Sequence, residues 1–122
     1  MFELKLKNNT IHLKWGTWAM REFCLAKGIG IDKYFEVLSN SSFDLDLIVQ
    51  FVYIGYKAGC ASRKEEVKYT EVDACDWIDE VGSIFNAEGQ IINYIKYIIS
   101  TTVTSAQSNT PKEEEKKKPK KA

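Results

Sequence analysis

One stretch limits the possible folds of this chain more than any other: LDLIVQFVYIGYKAGC, residues 45–60. Leu45, Ile48, Val49, Val52 and Tyr56 recur at the spacing of one helix face, and Leu47, Phe51, Ile54 and Ala58 form a second apolar row. A helix apolar on most sides is the central, buried element of a domain. It is not a membrane span. A bilayer crossing needs about 20 apolar residues, whereas Asp44 precedes this run, Asp46 lies inside it and Lys57 interrupts it. The pattern predicts a helix over about 43–59, with Ser42 as N-cap and Asp44 and Asp46 near the positive end of the helix dipole. Gly55 and Gly59 lie on one side of it, where they either admit another element closely or loosen the helix end.

A core helix needs elements to cover it, and the flanking sequence supplies them. FELKLKNNTIHLKW alternates apolar and polar residues about Asn8-Asn9, which predicts a hairpin over about 2–15 with a two-residue turn. That turn sets Leu6 opposite Ile11, Leu4 opposite Leu13, Phe2 opposite Trp15 and Glu3 opposite Lys14. A helix over about 17–27 places Trp18, Ala19, Phe23 and Ala26 on one side and stops at Gly28-Ile29-Gly30. Asp32 is the expected cap of a short helix over about 32–39, with Tyr34, Phe35 and Leu38 inward. After a charged loop at Ser62–Lys68, Thr70 and Asp73 form a capping-box variant. The helix they open, about 70–81, is expected to place Cys75, Ile78 and Val81 on one face. A last helix, about 86–102, carries Ile84, Ile91, Ile95 and Ile98 in one row and Ile92 and Ile99 in the next. From Ser105 onward the only hydrophobe is alanine, a composition that predicts disorder over 105–122. The expected fold class is thus mainly α with a short N-terminal β-hairpin (α+β). Four to five helices make one globular domain over about 1–104, followed by a disordered Lys/Glu-rich tail.

Composition narrows the function classes. The formal net charge is zero, yet residues 112–121 hold six Lys and three Glu, which leaves 11 basic and 14 acidic residues elsewhere. A mildly acidic body suits a phosphate backbone poorly, so nucleic acid is not the expected partner. A small helical regulator using the Lys-rich tail is the runner-up reading. Cys24, Cys60 and Cys75 contain no C-x-x-C pair and read as reduced thiols. No signal peptide is visible in Phe2–Trp15, which has no unbroken apolar run. His12 is the single histidine, on the polar face of the hairpin, and no zinc set follows from one His and three scattered Cys. Asp73, Asp76 and Glu80 read as a solvated helix face, and Gly28-Ile29-Gly30 lacks the third glycine of a dinucleotide fingerprint. No catalytic residue, metal site or cofactor is expected. The chain reads as a binding protein.

The last helix offers the candidate binding face. Ile91, Tyr94, Ile95, Tyr97 and Ile98 make a terminal helix apolar on more than one side, which suits self-association or a partner in a helix-in-groove mode. Core packing is the alternative for the same row.

Three segments in order carry a family resemblance: LKLKNNTIHLKWGTWAMREFCLAKG, then IVQFVYIGYKAG, then YTEVDACDWIDEVG. The sequence resembles tail assembly chaperones of long-tailed bacteriophages, over roughly residues 2–82. The resemblance implies a non-enzymatic protein of the host cytoplasm, absent from the mature virion. It would bind the tape measure protein, keep it soluble and help load tail tube subunits. It also implies a possible longer form made by ribosomal frameshifting, for which an A-rich run encoding Glu115–Lys118 is the expected place.

Overall fold

The computed structural model of the protein describes residues 1–40, 44–82 and 89–109, with side chains followed to Thr102. Strands β1 (Phe2–Lys5) and β2 (Thr10–Leu13) precede helices α1 (Thr17–Lys27), α2 (Ile31–Ser39), α3 (Leu45–Arg63), α4 (Glu71–Glu80) and α5 (Gln90–Asn109). The expected class, mainly α with an N-terminal antiparallel hairpin, is the observed one.

The hairpin forms two residues out of the expected register. Its pairs are Phe2–Leu13, Glu3–His12, Leu4–Ile11 and Lys5–Thr10, and Leu6 N–H donates to Asn9 O at 2.8 Å. The turn therefore lies at Lys7-Asn8, and neither asparagine takes the positive φ on which the expected turn relied. A slip of two residues keeps every side chain on its own face. Leu4, Ile11 and Leu13 are accordingly buried while Glu3, Lys5 and Thr10 are exposed. The end of the ladder does change. Trp15 has no partner in β1 and enters the helical core, where its buried indole N–H donates to Tyr34 Oη at 2.9 Å. Lys14 N–H donates to the Gly55 carbonyl oxygen of α3 at 3.0 Å.

α3 is the central helix, in contact with β2, α1 and α4. Ile48, Phe51, Val52, Ile54, Tyr56 and Ala58 are buried in it, as its two apolar rows require. Leu45, expected in the first row, is exposed at the helix start. Ser42 lies outside the described residues; the N-cap is Asp44, whose carboxylate accepts from Leu47 N–H at 2.8 Å. The helix runs on to Arg63 and closes through Lys64 at φ 57°, so the charged loop begins later than Ser62. The two glycines admit close neighbours. A Cβ on Gly59 would collide with the His12 carbonyl oxygen, and one on Gly55 with the Tyr94 hydroxyl. Their bare backbone lets β2 lie directly on the helix.

α4 opens with the expected capping box: Asp73 N–H donates to Thr70 Oγ1 at 3.3 Å, and Thr70 N–H donates to the Asp73 carboxylate at 2.8 Å. Its buried face is Ala74, Trp77 and Ile78; of the three residues expected to share one face, Ile78 is buried, Val81 half-buried and Cys75 exposed. Trp77 decides the rotation. Its ring is the largest apolar surface on the helix and lies 5.3 Å from Tyr56 and 5.4 Å from Tyr69.

α5 starts at Gln90 and continues through Ser105–Asn109, which were expected in the tail. Extending an existing helix fixes one residue per added hydrogen bond, so weakly helical residues continue a ladder they would not start. Ile84 and the tail from residue 110 lie outside the described residues. At the centre of the molecule Trp15, Phe23 and Phe51 pack ring to ring, with Phe23 stacked on Phe51 at 5.0 Å. Tyr34 Oη bonds Thr102 Oγ1 at 2.9 Å, which ties α2 to α5 inside that core.

Candidate functional site

The residues expected to form a partner face do come together, but they face inward. Ile91, Tyr94 and Ile98 have 0% exposure and Ile95 6%. Tyr97 is half-buried, and its hydroxyl accepts from Trp15 N–H at 3.4 Å. Tyr94 Oη donates to the Phe51 carbonyl oxygen at 2.8 Å, and the Phe2 ring packs 5.2 Å from Tyr94 and 5.9 Å from Tyr97. Burial, with the nearby Tyr97 and Tyr34 phenols adding to it, holds the Tyr94 phenol well above its ordinary range. The row is core. Its helix lies on β1, a neighbour that periodicity within one helix does not reveal.

Much of the hairpin edge is occupied as well. The Gln90 side-chain amide bonds both the N–H and the carbonyl oxygen of Lys5, at 2.6 and 2.8 Å, and Glu80 accepts from Lys7 N–H. On the other edge Lys14 N–H is taken by α3. Strand edges are docking sites only where such groups are free, so the hairpin side is largely closed.

The outer side of α1 and α2 differs. Trp18 is 42% exposed, Leu25 64%, Ile31 51% and Phe35 41%. Of the four residues expected on one side of α1, Ala19 and Phe23 are buried while Trp18 and Ala26 are exposed; of the three expected inward on α2, Tyr34 is buried, Leu38 half-buried and Phe35 exposed. The reason is area. α1 buries one stripe, Ala19 and Phe23, with Phe23 packed on Phe51 of α3, on Trp15 and on Tyr34 of α2. Beside that stripe Met20 and Cys24 are half-buried against the core, and Leu25 beyond them is exposed. Gly28, at φ 65°, ends α1 in the left-handed conformation, and Ile29 N–H donates back to Cys24 O at 3.0 Å. Gly30 is the N-cap of α2, with Asp32 inside the first turn rather than capping it. This tight connection returns Ile31 beside α1. A trough of about 310 Å³ results, lined by Thr17, Met20, Arg21, Cys24, Leu25 and Ile31.

The trough is chemically quiet. Arg21 pairs with Glu22 at 3.1 Å, Lys27 with Asp46, and Lys33 with Glu36 at 3.3 Å. Burial raises the Cys24 thiol above its ordinary value, so it is protonated at neutral pH. No general base faces it among the lining residues. Four of its six lining residues, Met20, Cys24, Leu25 and Ile31, are apolar.

A larger cleft, about 480 Å³, lies between the hairpin turn and the end of α3, with His12, Cys60, Arg63 and Glu65 in its walls. Arg63 is paired with Glu65 at 3.2 Å, and the Tyr56 hydroxyl accepts from Lys68 N–H at 2.8 Å and from Tyr69 N–H at 3.2 Å. Among the described residues no group of three or more His, Cys, Asp or Glu side chains is placed to hold a metal ion. No helix among them is long and apolar enough to cross a membrane. The α1–α2 surface had a partial signal in the sequence: TWAMREFCLAK places Thr17, Met20, Arg21, Cys24 and Leu25 at i, i+3, i+4, i+7 and i+8, a side on which Met20, Cys24 and Leu25 are apolar. No family model matches the chain, and neither a curated protein nor a solved structure is significantly similar to it.

Proposed function

We propose that this protein is a tail assembly chaperone of a long-tailed bacteriophage. It binds the tape measure protein in the host cytoplasm, holds it soluble while tail tube subunits assemble on it, and is absent from the finished virion. The observation that carries the reading is a closed, well-packed core combined with an uncovered apolar face on α1 and α2. That combination suits a protein whose work is binding rather than chemistry. It is joined by the resemblance of three ordered segments over residues 2–82. A long helical partner presents amphipathic stripes, and covering one of them prevents its aggregation.

Co-expression with the tape measure protein encoded by the same phage tests this directly. The expected result is that the tape measure protein is soluble and co-purifies with this chain, and is insoluble without it. A tape measure protein equally soluble, or equally insoluble, in both cases would contradict the proposal. We further propose that the Lys-rich end marks a frameshift site. Probing products of the natural gene with its downstream DNA should show a second, longer species sharing this N-terminus.

A further inference from the structure

In an antiparallel ladder every second residue turns its N–H and C=O to the same edge of the strand. On β1 the outward pairs belong to Glu3 and Lys5, because Lys5 bonds outward to Gln90 whereas Leu6 N–H turns inward to Asn9. The Gln90 amide meets Lys5 as an incoming strand would. It accepts from the N–H at 2.6 Å and donates to the carbonyl oxygen at 2.8 Å. Two residues further along, Glu80 accepts from Lys7 N–H. Glu80 ends α4 and Gln90 opens α5, and they lie 73 and 85 residues along the chain from the groups they cap.

We propose that Gln90, with Glu80, is a strand surrogate that keeps β1 from pairing with β1 of a second copy of this chain. The device is independent of the proposed chaperone function. A second copy is the partner because the strand is complementary to itself. In an antiparallel pair centred on Leu4, Glu3 of each copy stands opposite Lys5 of the other, and these are the two residues whose backbone groups face outward. Both side chains are exposed, so each hydrogen-bonded pair also sets opposite charges face to face, a favourable cross-strand arrangement. Such an interface is isologous and closes at two copies. The other edge of the hairpin offers no continuation: Lys14 N–H bonds Gly55, and the His12 carbonyl lies against Gly59. In the intact chain the cap wins. Gln90 satisfies Lys5 within one molecule, whereas a second copy does so only with a loss of translational and rotational freedom. Without the cap, the outward groups of Glu3 and Lys5 form an open edge, which is a template for another strand.

The test reads the light-scattering mass of the full chain against concentration for the wild type, for Gln90→Ala/Glu80→Ala, and for that double variant with Lys5→Glu added. Circular dichroism should show the same helix content in all three, since Glu80 is exposed and Gln90 half-buried. The wild type should stay at the monomer mass of 14.0 kDa. The double variant should approach about twice that mass, with dimerisation at least about tenfold tighter than in the wild type, because the capping bonds no longer have to be broken. Adding Lys5→Glu places like charges opposite one another and should restore the monomer. A folded double variant that remains monomeric would overturn the proposal. So would a wild type already dimeric with equal affinity, or a dimer that Lys5→Glu leaves intact. Gln90→Glu keeps an acceptor for Lys5 N–H but has no donor for its carbonyl oxygen; should the double variant fail to fold, this single change decides the matter by the same readings.

Discussion

Two sides of this small molecule treat apolar surface in opposite ways. Where the hairpin, α3 and α5 meet, bulky apolar side chains are covered and backbone groups are satisfied even at a strand edge, by Gln90 for Lys5 and by Gly55 for Lys14. On α1 and α2, Trp18, Leu25, Ile31 and Phe35 stay in water although the same chain buries Tyr94 completely. Polar residues at Leu25 and Ile31, the two most exposed of the four, would cost the monomer little. Under the proposed chaperone function, the uncovered side is the candidate binding side.

The closed side should be sensitive and the open side tolerant. The largest effect is expected for Trp15→Ala, which removes a ring packed on Phe23 and Phe51 and one of the two hydrogen bonds of the Tyr34 hydroxyl. Urea denaturation should show a loss of about 3–5 kcal/mol, much of the stability of a domain this size. Next come the glycines. Gly59→Ala should cost about 1–3 kcal/mol, because its methyl group meets the fixed His12 carbonyl. Gly55→Ala should cost a similar amount but be partly relieved by Tyr94→Phe, since the blocking atom there is a side-chain hydroxyl. A double-mutant cycle showing no coupling between positions 55 and 94 would contradict that packing.

A smaller effect is expected at alkaline pH. A tyrosine in the unfolded chain loses its proton near 10.0, whereas burial keeps Tyr94, and to a lesser degree Tyr34, protonated to higher pH in the fold. Above that value the folded state binds more protons than the unfolded one, so stability declines as pH rises from about 10. Melting temperatures measured across this range should decline less steeply in the Tyr94→Phe variant. The smallest stability effect belongs to the open side. Leu25→Asp should stay within about 0.5 kcal/mol of wild type, against an unfolded product for Ile95→Asp.

How much of this was legible beforehand depended on how local each constraint is. Alternation in Phe2–Leu13 determined the faces of the hairpin, but not its register, because a slip of two residues leaves the faces unchanged. The capping box at Thr70 and the buried rows of α3 were readable because their partners lie within the same helix. The rotation of α4 toward Trp77 was not, since it depends on Tyr56 and Tyr69 across the loop. Periodicity alone also left the isoleucine row of α5 open between core and interface. Its burial follows from β1, nearly ninety residues earlier in the chain, lying against it. The trough on α1 was written in TWAMREFCLAK as apolar residues on two sides, but only the placement of α3 shows which side remains uncovered.

The most direct measurement is amide hydrogen exchange of the full chain, alone and in complex with the tape measure protein. The account predicts that residues 91–98 are protected in both states and that residues 17–31 gain protection on binding. Rapid exchange at 91–98 in the free chain that slows only in the complex, with 17–31 unchanged, would contradict it and return the binding face to the last helix.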